Sequence, residues 1–317
     1  MIVLNKIAAA LAFIGRHGTI AVALSIFAGL LVPALAAAFK PFLGEAIIML
    51  LTLAFLRVQP SALRILARKP ALVIAAAAWL MLVTPAILAG AFLALRLDAV
   101  MPGLYFILIL QACAPPLMSS PAMAALIGLD VALTLAGLLL ATMLAPLTAV
   151  AFTHFFLGHA VIEPFGFGAK LFVIIAGSAL AAFAIRRLAG AARIEAQRET
   201  IDGLSVFGMF VFASAAMDGV AAQAFAAPLF VLALTAATFA LALGQMAVTT
   251  FVFLQAGRQR AFAIGLLAGN RNMGLMMTAT GFAVPELAWL YFGLAQFPIY
   301  LLPALLKPLA RRLAEKR

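Results

Sequence analysis

The sequence predicts an all-α polytopic membrane protein of about ten transmembrane helices, arranged as two inverted five-helix repeats. Three observations lead there. Of the 317 residues, 67% are hydrophobic and only 10% charged, against about 45–50% and about 25% in soluble domains. Apolar stretches recur at the length a bilayer demands, and basic residues collect in alternate loops between them. Two of the stretches, in corresponding positions of the two halves, are interrupted near their middles.

A chain with a mean hydropathy of +1.21 has too few polar groups to cover its own surface, so lipid is the solvent for most of it. A net charge of +11 would suggest nucleic acid in a soluble protein. Here the basic residues sit at the ends of apolar runs, where they set orientation in a bilayer, and no nucleic-acid partner is expected. The single cysteine, Cys113, leaves no intrachain disulfide to form. His17, His154 and His159 are scattered without metal-ligand spacing, so no metal is expected. Residues 1–18 carry Lys6, Arg16 and His17 and no small-residue cleavage site; they read as an N-terminal interfacial helix, not a cleavable signal.

Measured against the roughly 20 apolar residues that cross a bilayer, the spans fall near 19–38, 42–57, 70–95, 103–127, 130–153, 168–188, 201–222, 228–255, 260–281 and 286–306. Charge tests the assignment. Arg57, Arg64, Arg68 and Lys69 follow the second span. Arg186, Arg187, Arg193 and Arg198 follow the sixth, and Arg258 and Arg260 the eighth. Lys307, Arg311, Arg312, Lys316 and Arg317 form a basic tail over 307–317. Loops of the other parity are neutral or acidic, as with Lys40 beside Glu45 and Arg96 beside Asp98. The bias places both termini in the cytoplasm, and the expected setting is a bacterial inner membrane. The midpoint near 154–167 divides a first repeat, 19–153, from a second, 168–306. An odd number of spans in each half turns the second upside down relative to the first.

In the fourth span, LYFILILQACAPPLMSSPAMAALIG, Pro115, Pro116 and Pro121 lie close together. Proline removes a backbone donor and clashes with the preceding turn, so the helix should break there. Ser119 and Ser120 before Pro121 read as a hydroxyl N-cap and a new start. In the ninth span, Gly269, Asn270, Arg271, Asn272 and Gly274 interrupt AFAIGLLAGNRNMGLMMTATG, and Asn270 is expected to cap the second half. Discontinuous helices at matching positions of inverted halves point to a transporter site at mid-membrane. Their N-terminal dipole ends favour an anion.

Arg271 is the basic residue nearest the middle of any span. It reads either as a fixed counter-ion for an anionic substrate or as a structural cation for carbonyls freed by the breaks. Asn270, Asn272, Ser119 and Ser120 are the candidate substrate contacts beside it, with capping as the alternative for each. Cys113 reads as a small buried residue or a soft ligand. Gln111 and Gln245 are placed as interhelical hydrogen bonders, and Thr84-Pro85 as a kink in the third span.

On two stretches the chain resembles the bile acid:sodium symporter family, over nearly its whole length. SSPAMAALIGLDVALTLAGLLLATMLAPL is similar to that family's fourth-to-fifth-helix segment, and GNRNMGL to its ninth-helix motif Gly-x-Gln-Asn-x-Gly-Leu. The resemblance implies a core domain from spans 3–5 and 8–10 and a panel domain from spans 1, 2, 6 and 7. Substrate would lie between them, core would move against panel, and sodium would sit where helices 4 and 9 cross. Ser120 and Thr134 match hydroxyl ion ligands. Pro121 stands where the family has an asparagine, Leu138 where it has a threonine, Leu267 where it has a glutamate and Arg271 where it has a glutamine. The third span shows no counterpart of the family's polar ligand.

The expectation is therefore an alternating-access secondary transporter of a small organic anion, with lost or altered sodium dependence, the Arg271 guanidinium replacing a sodium ion. No cofactor is expected beyond the open question of sodium. Arsenite and auxin-type efflux carriers of the same fold group are the alternative. A membrane enzyme would need a nucleophile–base pair or metal ligands at one depth, and a channel a polar stripe along several spans; the sequence offers neither.

Overall fold

A computed structural model describes residues 18–58, 70–158 and 162–315. The predicted interfacial helix over 1–18 lies almost wholly outside the described residues, as do Arg64, Arg68, Lys69, His17 and His159. Every regular element among the described residues is a helix. In chain order they are α1 (Gly18–Leu31), α2 (Pro33–Phe39), α3 (Leu43–Leu56), α4 (Pro70–Ala78), α5 (Thr84–Ala94), α6 (Leu97–Val100), α7 (Pro102–Cys113), α8 (Ser120–Ile127) and α9 (Val131–Phe156). The second half of the chain supplies α10 (Pro164–Ala189), α11 (Ala191–Ala196), α12 (Arg198–Ala216), α13 (Val220–Ala226), α14 (Pro228–Val252), α15 (Arg258–Gly269), α16 (Met273–Thr280), α17 (Glu286–Leu294) and α18 (Gln296–Glu315).

Among the described residues six helical stretches are long and apolar enough, by length and composition, to cross a membrane: Pro33–Leu56, Pro70–Ala94, Val131–Phe156, Pro164–Ala189, Arg198–Ala226 and Pro228–Val252. They mark the chain as an integral membrane protein. Their outward faces carry Met143, Leu147, Phe172, Leu180, Phe183 and Phe251, each more than 60% exposed. Apolar surface on that scale, on helices of this length, suits contact with lipid.

The predicted spans 19–38, 103–127, 260–281 and 286–306 are each divided into shorter helices. Proline accounts for three of the divisions. Val32 leaves helical geometry (φ −122°, ψ 79°) ahead of Pro33, which opens α2. From there the chain stays helical to Leu56, through a 3-10 turn at Lys40–Phe42, so the expected boundary between the first two spans is a tightened turn and not a loop. Pro298 removes the N–H that would have carried α17 into α18. Pro115 and Pro116 end α7. The ninth span breaks without proline, at Asn270–Asn272.

The chain forms two compact units. One takes in the described residues of Met1–Arg57 together with Ile174–Leu232. Within it Ser214 Oγ donates to the Ser25 carbonyl, and Phe39 packs edge-on against Phe210. At its polar ends Arg57 meets Asp202 at 2.8 Å and donates to Ser205 Oγ, and Lys40 meets Asp218 at 2.8 Å.

The other unit takes in the described residues of Val58–Val173 and Ala233–Arg317. Asp130 caps α9 by accepting from the Leu133 N–H at 3.0 Å, satisfying one of the donors a helix start leaves free. Around the interrupted helices its interior is continuously buried, from Leu104 to Pro116 and from Ala261 to Met277.

Candidate functional site

The two interruptions meet. α7 stops because Pro115 and Pro116 bring no N–H, and Ala114 before them turns extended (φ −64°, ψ 137°). α15 stops at Asn270, also extended (φ −113°, ψ 91°). The Leu117 N–H donates to the Asn270 carbonyl and the Asn272 N–H to the Pro115 carbonyl, both at 2.8 Å. Pro116 and Arg271 face each other as an isolated antiparallel bridge. Each unwound segment thus satisfies the other's backbone, the condition for losing helical hydrogen bonds away from water.

Caps differ from the expectation by a residue or two. Ser119 stands at the N-cap position of α8, but its hydroxyl makes no capping bond; the turn is closed by the Ser120 N–H on the Leu117 carbonyl. Pro121 sits in the first turn of α8, where a missing N–H costs nothing, and so lies past the break. Asn272, not Asn270, caps α16, its Oδ1 accepting from the Leu275 N–H at 3.1 Å. Asn270 instead turns its Nδ2 back to the Leu266 carbonyl, a free end of α15. Gly269 is the last helical residue before the break.

Arg271 is 1% exposed and collects carbonyls from three elements. Nε donates to Ala268 O at 2.9 Å and to Gln245 Oε1 at 3.3 Å. Nη1 donates to Ala114 O at 3.1 Å and to Leu80 O at 3.0 Å. Ala114 and Ala268 lie at the C-terminal ends of α7 and α15, so both helix dipoles present negative ends to the guanidinium.

The Leu80 carbonyl has its own reason to be free. Trp79–Val83 form a π-turn, in which the Thr84 N–H reaches back five residues to Trp79 O. In that register the next donor belongs to residue 85, which is proline and has none. The kink expected at Thr84-Pro85 is therefore a π-turn that releases one carbonyl to Arg271.

Among the described residues no carboxylate pairs with Arg271. Its Nη2 is buried without an acceptor, and so are the polar atoms Gln245 Nε2, Thr84 Oγ1, Ser120 Oγ and Asn270 Oδ1 without a partner. Ser119, Ser120 and Thr134 make no hydrogen bond to Arg271. Thr134 Oγ1 donates to its own helix at Asp130 O, 2.7 Å away. Asn270 and Asn272 flank the guanidinium in sequence and bond to their own helices.

Gln245 and the Leu80 carbonyl are the partners that residue-type reasoning did not assign to Arg271. An amide well inside the apolar span 228–255 was the available signal for the first. A carbonyl has no side-chain signature, so only Pro85 pointed to the second. Elsewhere in the same unit a cavity of about 450 Å³ opens among Asp98, Tyr105, Phe156 and Pro285 and contains none of the predicted site residues. Among the described residues no three His, Cys, Asp or Glu side chains come close enough together to hold a metal ion.

No family model matches the chain, and no curated protein matches it either.

Proposed function

We propose that this protein is a sodium-independent secondary transporter of a small organic anion. In this reading about ten spans form two inverted repeats, both termini are cytoplasmic, and α7–α8 and α15–α16 cross at mid-membrane. One observation carries it: a buried guanidinium, clasped by carbonyls of both broken helices, with no carboxylate beside it among the described residues and one nitrogen lacking an acceptor. Unwound backbone deep in a membrane protein is tolerated where it packs on protein or lines a substrate path. A buried cation without a protein anion asks for one from outside.

The absence of sodium coupling follows from the same group. Carbonyl oxygens that would otherwise suit a small cation are already occupied by a cation bonded covalently to the chain. A fixed charge cannot leave with the substrate, so no ion gradient is coupled through that place. Leu138 and Leu267, equated by the resemblance to bile acid:sodium symporters with polar ligands, are buried apolar side chains. The division into two compact units, one holding the predicted spans 3–5 and the other the predicted spans 1 and 2, supports an alternating-access reading with a core and a panel.

The test is uptake of a panel of radiolabelled organic monoanions and dianions by proteoliposomes loaded with unlabelled anion. Saturable uptake of at least one anion, unchanged when choline replaces sodium on both sides, is expected. Uptake of cations or neutral solutes alone, or ion currents without saturation, would overturn the reading.

A further inference from the structure

The geometry points to Arg271 Nη2 and Gln245 Nε2 as a paired donor site for a carboxylate, with Gln245 on α14 selecting the planar group. This rests on the anion-carrier reading and specifies its ligand.

Arginine only donates, so the Gln245 atom facing Nε at 3.3 Å must be its oxygen, and the amide orientation is settled by chemistry. That leaves Nε2 on the neighbouring corner of the same amide. The guanidinium is equally constrained. Its Nε–H and one Nη2–H form the two parallel tines of a fixed fork. The first tine is shared between Gln245 and Ala268. The second runs parallel to it and finds no acceptor. Two unpartnered donor groups therefore belong to adjoining side chains that are 1% and 5% exposed. Thr84 adds another unpartnered buried hydroxyl, just past the π-turn whose Leu80 carbonyl holds Nη1.

Buried donors left without acceptors are costly, most of all on a charged group. A carboxylate supplies what both lack: two oxygens in one plane and the missing negative charge. A halide would serve the charge but not the planar spacing. A water molecule would serve the donors but leave the charge unbalanced.

The test uses the purified full-length protein, melted in detergent across a formate titration at constant ionic strength, as wild type, Gln245→Met and Gln245→Glu. Formate is expected to raise the wild-type Tm saturably. In Gln245→Met, which keeps the volume but not the amide, the apparent affinity should fall about tenfold or more, the equivalent of one good hydrogen bond to a charge. Gln245→Glu places a carboxylate beside Arg271 permanently, so its Tm should be raised without ligand and should no longer respond to formate. A wild type indifferent to formate overturns the pair and leaves water as its occupant. A Gln245→Glu variant that responds like wild type overturns it too. Uptake separates the two proposals. The expected formate pattern without any anion transport keeps the pair and removes the carrier reading. Unimpaired transport by Gln245→Met and Gln245→Glu removes the pair and keeps the carrier.

Discussion

Replacing Arg271 with alanine is expected to destabilise the protein by about 3 kcal/mol or more and to abolish anion binding. Three carbonyls, Leu80 O, Ala114 O and Ala268 O, would lose their guanidinium donor together. Each orphaned buried acceptor costs about 1–3 kcal/mol, and removal of the buried charge returns part of the sum. Both broken helices contribute to that set, so the loss should loosen the crossing itself. Arg271→Lys should fall between the two. It keeps the charge, but a single ammonium cannot reproduce the spread of a planar fork over three elements. Thermal melts in detergent measure the order wild type, lysine, alanine. An Arg271→Ala protein as stable as the wild type would show that the carbonyls find other donors and that the clasp contributes little.

Gly265→Ala and Gly269→Val are expected to damage binding more than their size suggests. The two glycines stand four residues apart on α15, a spacing that lets helices approach closely in membranes. A Cβ on Gly269 would come within 2.8 Å of the Ala242 carbonyl, and one on Gly265 within 2.7 Å of the Met246 carbonyl. Both obstructions are backbone atoms of α14 and cannot swing aside. Overpacking of this kind costs about 1–3 kcal/mol. Gln245 lies on that same stretch of α14, so pushing the helices apart draws its amide away from Arg271. Gly244→Ala is the control. A Cβ there meets nothing within 4 Å, and the change should be neutral or add up to about 1 kcal/mol of helix stability. Equal anion affinity in Gly269→Val and wild type would separate the α14–α15 contact from the site.

Both interruptions were legible in the sequence because their causes are local. The pair Pro115-Pro116 within one apolar run, and a Gly-Asn-Arg-Asn cluster in another, end their helices from within, while Pro121 opens the next helix. Membrane character was legible for a similar reason, being a property of composition. The caps were harder. Ser119 and Ser120 are adjacent hydroxyls, and Asn270 and Asn272 are paired amides; which of each serves depends on where the unwound strands take their bridge. That register comes from Leu117 and Asn272 bonding across to Asn270 and Pro115, a long-range fact with no local trace. The partners of Arg271 were the least legible. They are backbone oxygens, identical at every residue: Pro85 leaves Leu80 O without a donor, while Ala114 O and Ala268 O are free because both chains unwind just past them. The division of the final predicted span at Ala295 could have been read from Pro298, three residues further on.

In the carrier proposed here, a tethered guanidinium stands where a mobile cation would otherwise be bound. The most direct test of this is a sodium titration of organic-anion binding to the purified protein, from sodium-free choline buffer upward, for wild type and Arg271→Gln. A flat response is expected in the wild type. In Arg271→Gln, with its cation gone and its carbonyls vacant, any anion binding that remains is expected to need added cation. Saturable stimulation of the wild type by sodium would contradict it, placing a working sodium site elsewhere in the chain.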